Sequence, residues 1–157
     1  MACNGSARTR FWPPRTPPHL THSVKAPAVL PRFGFVVCDR AGLQYSEGHK
    51  TAELDYRAGP MVSARGQRVA VVLGASSKRH GPGRHVIATG ILDEQETYVV
   101  NSKEYRALAK RHKGKECGWA FRKGMRIWQL RGVRTLRQPA RIRMIRGTRR
   151  WTECIPA

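Results

Sequence analysis

Four segments in a fixed order decide the fold: Gly48-His-Lys-Thr-Ala-Glu53, Arg65-Gly66, Arg68-Val-Ala-Val-Val-Leu73 and Ala75-Ser-Ser-Lys78. Arg68 to Leu73 is apolar and rich in β-branched residues. It is bounded by Gly66 and Gly74, which predicts a buried strand. Working outward, His80-Gly-Pro-Gly-Arg84 reads as a turn-rich loop. His85 to Leu92 and Glu96 to Val100 read as further strands. On the other side, Phe33 to Val37 is a short apolar strand, Ala41 to Glu47 a turn or short helix, and a strand starts near Leu54. Asn101-Ser-Lys-Glu104 has the form of a capping box, with Asn101 capping and Glu104 reaching back. It opens a helix to about His112, with Tyr105, Leu108 and Ala109 on one face. Met125 to Leu136 and Arg141 to Ile145 read as two last strands around Pro139. Trp128, alternating with Met125, Ile127 and Gln129, is expected on a binding surface or in a second packing layer. The class is α+β, mostly β: a small barrel or sheet with one or two helices.

The chain has 157 residues and a formal net charge of +20, from 30 Lys+Arg against 10 Asp+Glu. That length suits one domain plus a tail. No stretch approaches the ~20 apolar residues of a membrane-spanning helix; the longest apolar run is Val69 to Leu73. The charge selects polyanions as partners, nucleic acid before an anionic membrane. From Phe121 to Trp151 there are arginines throughout and no acid. Arginine predominates over lysine, which favours forked contacts to phosphates. Residues 1–31 hold most of the prolines and no acid. They read as a disordered, basic tail, with an organelle transit peptide and an over-extended start as alternatives. The domain is then 32–157. Cys3, Cys38, Cys117 and Cys154 have no C-x-x-C spacing, and His49, His80, His85 and His112 have no metal-ligand spacing. The histidines read as surface or loop residues. No metal or cofactor is expected. Without a secretory leader, reduced cysteines and a cytoplasmic monomer are expected.

The ordered set of segments resembles the ASCH domain of the PUA-like superfamily of small β-barrels. There a G-x-K-x-x-E-x-R signature precedes an RG, a strand and an A-S-x-K-like segment. A later strand with a central glycine is matched by Gly90. A closing strand, proline, glycine and aromatic are matched by Trp128 to Leu136, Pro139, Gly147 and Trp151. The resemblance covers roughly residues 33–154. One position departs from it: the signature's arginine falls on Asp55, and the nearest arginine is Arg57.

The residues themselves suggest a ligand cleft. Gly48 permits a positive φ and close approach to the backbone. Lys50 supplies a cation for phosphate or, if desolvated, a base. Glu53 can pair with Lys50 or accept from a base's amino edge. A surface ion pair, worth ~0–1 kcal/mol, is the plain alternative. Candidate nucleic-acid contacts are Gly48, Lys50, Glu53, Arg65, Ser76, Ser77, Lys78, Arg79, Trp128, Arg131 and Arg141. The expected function is an RNA-binding module holding a base, modified base or nucleotide, with arginines on the backbone. The resemblance also implies an alternative enzyme, a nucleoside amidohydrolase or ribonuclease, with Lys50, Thr51, Glu53 and Glu104 as candidate catalytic residues. A structural subunit of a ribonucleoprotein is a third reading.

Overall fold

Strand β4, Arg68–Leu73, lies where the apolar run places it, and every residue after Arg68 is buried. The computed structural model describes residues 23–25, 29–56, 61–77, 79–94, 98–99, 101–145 and 150–157. In chain order the other elements are β1 (Ser23–Val24), β2 (Phe33–Val37), α1 (Asp39–Ser46) and β3 (Ala52–Asp55) before β4. After it come β5 (Arg84–Leu92), β6 (Tyr98–Val99), α2 (Ser102–Ala107), α3 (Ala109–His112), β7 (Arg126–Ile142) and β8 (Trp151–Glu153). A short 3-10 turn, Val62–Ala64, precedes β4.

The strands form one curled sheet ordered β1-β7-β5-β4-β2-β8, with β3 and β6 also pairing to β7. β2 runs parallel to β4 and β1 parallel to β7; the other pairs are antiparallel. The α+β, mostly β architecture matches the expectation from the sequence. Its concave side holds the main core, with Phe35, Tyr45, Val71, Leu73, Ile87 and Leu130. Burying each such side chain is worth about 1.5–3 kcal/mol. Ala52, Leu54, Met125 and Ile127 form a second cluster with Leu108. Gly90 is needed for close approach: a Cβ there would lie 3.1 Å from Leu130 Cβ.

The C-terminal part differs from its sequence reading. Met125 to Leu136 and Arg141 to Ile145 are not two strands around Pro139. They are parts of one strand, Arg126–Ile142, followed by β8. Ala88 pairs with Thr135 but Val86 with Ala140, so extra β7 residues, including Pro139, loop out of the ladder. A proline is tolerated at such a bulge because no ladder bond requires its N–H. The helix after Asn101 also differs. Its capping box is present in both directions, but the helix breaks at Leu108 (φ −97, ψ 5) and resumes as α3. The break leaves Ala109 exposed, while Leu108 is buried and Tyr105 half-buried. The expected strand Glu96 to Val100 is seen as Tyr98–Val99; 95–97 and 100 lie outside the described residues, as do Arg57 and Gly147. Within the expected tail, Ser23–Val24 pair with Thr135–Leu136, whereas 1–22 and 26–28 lie outside the described residues. Among the described residues no helix is long and apolar enough to cross a membrane.

Candidate functional site

The G-x-K-x-x-E segment lies in the turn between α1 and β3. Gly48 has φ +74, which lets the chain reverse at the end of α1 without strain. The N–H groups of Glu47 and Gly48 donate to Leu43 O and Tyr45 O, and those of His49 and Lys50 to Gln44 O. This tight turn sends Lys50 inward, where it is 1% exposed. The alternative of a surface ion pair is thereby excluded.

Lys50 Nζ donates to His112 O and lies 3.4 Å from Glu53 Oε1. Glu53 Oε2 accepts from Tyr45 OH at 3.2 Å, and Oε1 accepts from Leu54 N at 3.1 Å. The remaining cation comes from beside β8. Arg150 Nη2 is 3.4 Å from Glu53 Oε1, and Nε is 3.3 Å from Asp55 Oδ2. Its Nη1 donates to Val36 O at 3.0 Å. The guanidinium also sits 5.3 Å from the centre of the Trp128 ring and 5.9 Å from that of Phe35. Lys50, Arg150, Glu53 and Asp55 thus make a formally neutral cluster. Buried charges persist only when paired and hydrogen-bonded in this way. Asp55 is the second counter-ion of Arg150.

His112, 0% exposed, closes one side. Its Nδ1 accepts from Gly114 N at 2.8 Å. Its Nε2 therefore carries the proton and donates to Tyr105 O at 2.8 Å. Burial holds this imidazole below the ordinary histidine value. Burial also pushes the Cys117 thiol up to about 11. The Tyr45 phenol is raised well above its usual value, by burial first and the Glu53 carboxylate second. A narrow cleft reaches Lys50, Glu53 and Arg150 between Cys38, Cys117 and Trp119, with about 10 Å³ of free space, room for about one water. A nucleobase is larger than this space, so the cleft must widen for one to enter. Arg40 of α1, whose guanidinium lies against Gly118, and Lys115 are exposed beside the cleft, as are the neighbouring acids Asp39 and Glu116, and Glu116 is close enough to help raise the Cys117 thiol.

Of the residues singled out in the sequence, the structure brings together Gly48, Lys50 and Glu53. Thr51 does not line the cleft; its N–H donates to Arg111 O. Glu104 is engaged in the capping box through Asn101 N. The candidate catalytic set therefore does not converge. Arg65 ends the 3-10 turn. Ser76 is exposed, and Ser77 is buried with Oγ accepting from Arg79 N at 3.3 Å. Lys78 lies outside the described residues, and Arg79 is exposed. Trp128 is 3% exposed and packs in the main core, not on a binding surface. Arg131 and Arg141 are exposed on β7, away from the cleft. Two histidines read as surface residues are buried: His112, and His85 within β5. Tyr45, His112 and Arg150 were missed as site residues.

This chain is similar in fold to an ASCH protein. One solved structure it is similar to is the crystal structure of a mutant of the ZmASCH protein from Zymomonas mobilis, at 14% identity and a TM-score of 0.49, covering 77% of this chain and 86% of that one. No family model matches the sequence, and no curated protein matches it.

Proposed function

We propose that the protein is an RNA-binding module that holds a base in the Lys50–Glu53 cleft, with basic residues on the phosphate backbone. The observation that carries this reading is the formally neutral, buried cluster of Lys50, Glu53, Asp55 and Arg150 at the floor of a narrow cleft. Lys50 can donate to a base carbonyl, and Glu53 can accept from an exocyclic amino group. With no net formal charge, the floor suits an uncharged base edge better than a phosphate. The +20 charge supplies the phosphate contacts elsewhere on the domain. Single-stranded RNA is the fitting form, because its bases are free to enter a pocket. Catalysis is not favoured, since Thr51 and Glu104 lie apart from Lys50 and Glu53.

Fluorescence anisotropy with single-stranded homopolymers tests the reading. Glu53→Gln, which keeps the shape and removes the charge, is expected to alter the preference among bases and leave the salt dependence unchanged. Wild-type affinity that barely changes from about 50 to about 200 mM salt would sink the proposal, because phosphate contacts release counterions.

A further inference from the structure

We propose that the face of the sheet opposite the cleft is a second RNA-binding surface, on which Arg68, Arg131 and Arg134 hold backbone phosphates. The proposal rests on the reading that RNA is the partner, but it uses none of the cleft residues.

Side-chain alternation, with a bulge at Gly132 (φ +54) that sets three β7 residues against two of β5, places the three arginines on one face. Arg68 precedes Val69, Arg131 follows Leu130 and Arg134 follows Val133, and all three apolar neighbours are in the main core on the concave side. The arginines therefore point to the other side, and all three are exposed. The ladder fixes their relative positions. Arg68 is opposite Ile91, and Ile91 opposite Arg131, so these form one row across β4, β5 and β7. The next row is Ala70, Thr89 and Arg134. Strand spacing puts the Arg68 and Arg131 backbones about 10 Å apart, and the Arg131 and Arg134 backbones about 7 Å apart along the strand. Arg68 is steadied across the face by Nη1 donating to Thr89 Oγ1 at 3.3 Å. Among the described residues no acid forms an ion pair with any of the three.

Charge complementarity selects the occupant. A second copy would bring another +20, and residues 1–31 contain no acid, so neither is drawn to this face. Ala70 and Thr89 between the arginines are buried, Ala70 within a further core cluster with Val72, Val86 and Leu136 on this side of the sheet, so the guanidinium groups are the exposed part of the two rows, which hold no aromatic ring for a base to stack on. The face thus fits the backbone and not the bases, a contact that positions without reading sequence. Because it lies behind the sheet from the cleft, one molecule can hold two segments of RNA at once.

The test uses the full chain, an unstructured single-stranded RNA and anisotropy from about 50 to about 200 mM salt. Arg68→Ala/Arg131→Ala/Arg134→Ala is compared with the triple Lys variant, with Lys50→Met and with wild type. Each single-strand phosphate contact contributes about 0.7 to the log–log salt slope. The triple Ala variant should therefore lose about 2 from the slope, a roughly 16-fold smaller fall in affinity over that range, while the Lys variant keeps it. The melting temperature should change little, since the three side chains are exposed. An unchanged slope and affinity in the triple Ala variant, with Lys50→Met weakened, overturns this inference and leaves the cleft reading standing. No RNA binding by wild type overturns both. Loss of binding to phosphatidylserine vesicles with RNA binding intact overturns it in favour of a membrane contact.

Discussion

Arg150→Met should be one of the most damaging single changes at this site. The perturbation keeps an apolar stem between Phe35 and Trp128 but removes the guanidinium. It breaks the contacts to Glu53 at 3.4 Å and Asp55 at 3.3 Å. It also removes donors to Val36 O at 3.0 Å and Leu54 O at 3.4 Å. The Glu53 and Asp55 side chains are only 5% and 14% exposed, so water replaces little of what is lost. Removing one partner of a buried ion pair costs about 3–5 kcal/mol. Lys50 still faces Glu53, so the low end applies, about 3 kcal/mol. At about 2–4 °C per kcal/mol for a chain of this size, Tm should fall by about 6–12 °C. Urea unfolding followed by tryptophan fluorescence reads the loss directly, since Trp128 and Trp151 both pack near this arginine. A cycle with Asp55→Asn should show coupling above about 1 kcal/mol. Arg150→Lys should fall between, because the charge stays but the fork does not. A loss below about 1 kcal/mol for Arg150→Met, or strict additivity with Asp55→Asn, would refute the claim that Arg150 holds the acids in place.

Acid should weaken the fold through His112. Its folded value is lowered by burial, so the unfolded chain takes up a proton near its ordinary value while the folded one does not. The stability this histidine contributes is present above about pH 6.5 and is lost as pH falls below it. The urea midpoint should drop between about pH 7 and about pH 5, and His112→Gln should flatten that slope, leaving the share due to His85, which is lowered chiefly by burial. An unaltered slope in His112→Gln would show that burial does not hold His112 below its ordinary value in the folded protein. Cysteine reactivity tests the cleft wall. Burial pushes Cys117 to about 11 and Cys154 to about 12, whereas Cys38 is exposed. Iodoacetamide at about pH 8 should modify Cys38 in the native protein, and Cys117 and Cys154 only after unfolding. Peptide mapping that finds Cys117 modified as fast as Cys38 would contradict the closed cleft.

Features set by neighbours along the chain were readable in the sequence. Arg68 to Leu73 needed only its own apolar run to become a strand. Asn101 and Glu104 satisfy each other across three residues, so their cap was visible without the rest of the fold. Gly48 marked a turn for the same local reason. Features set across the chain were not. Pro139 looked like a strand break because the bulge that absorbs it depends on the register between β5 and β7. Trp128 looked like a candidate surface residue because alternation assigns one face to solvent, but Ile127 to Leu130 are buried on both sides. The partnership of Glu53, Asp55 and Arg150 joins residues from opposite ends of the domain, and only the pairing of β8 with β2 brings the arginine there.

If the protein binds RNA as proposed, the distribution of charge separates affinity from selectivity. If the cation excess lay at the cleft, any phosphate would compete for the site and salt would control which base was held. The cluster instead balances Lys50 and Arg150 against Glu53 and Asp55, so a ligand there gains little from its own charge and much from matching donors and acceptors. Arg68, Arg131 and Arg134 stand on the other face, where contacts are exposed and screened within a Debye length of ~8 Å at physiological salt. A mutation in one group should therefore move one property. Glu53→Gln should change which base is preferred at constant salt slope, and the triple arginine change should alter the slope at constant base preference. Both effects appearing together in either variant would mean that the two surfaces share a single electrostatic field, and the division of labour across the sheet would not stand.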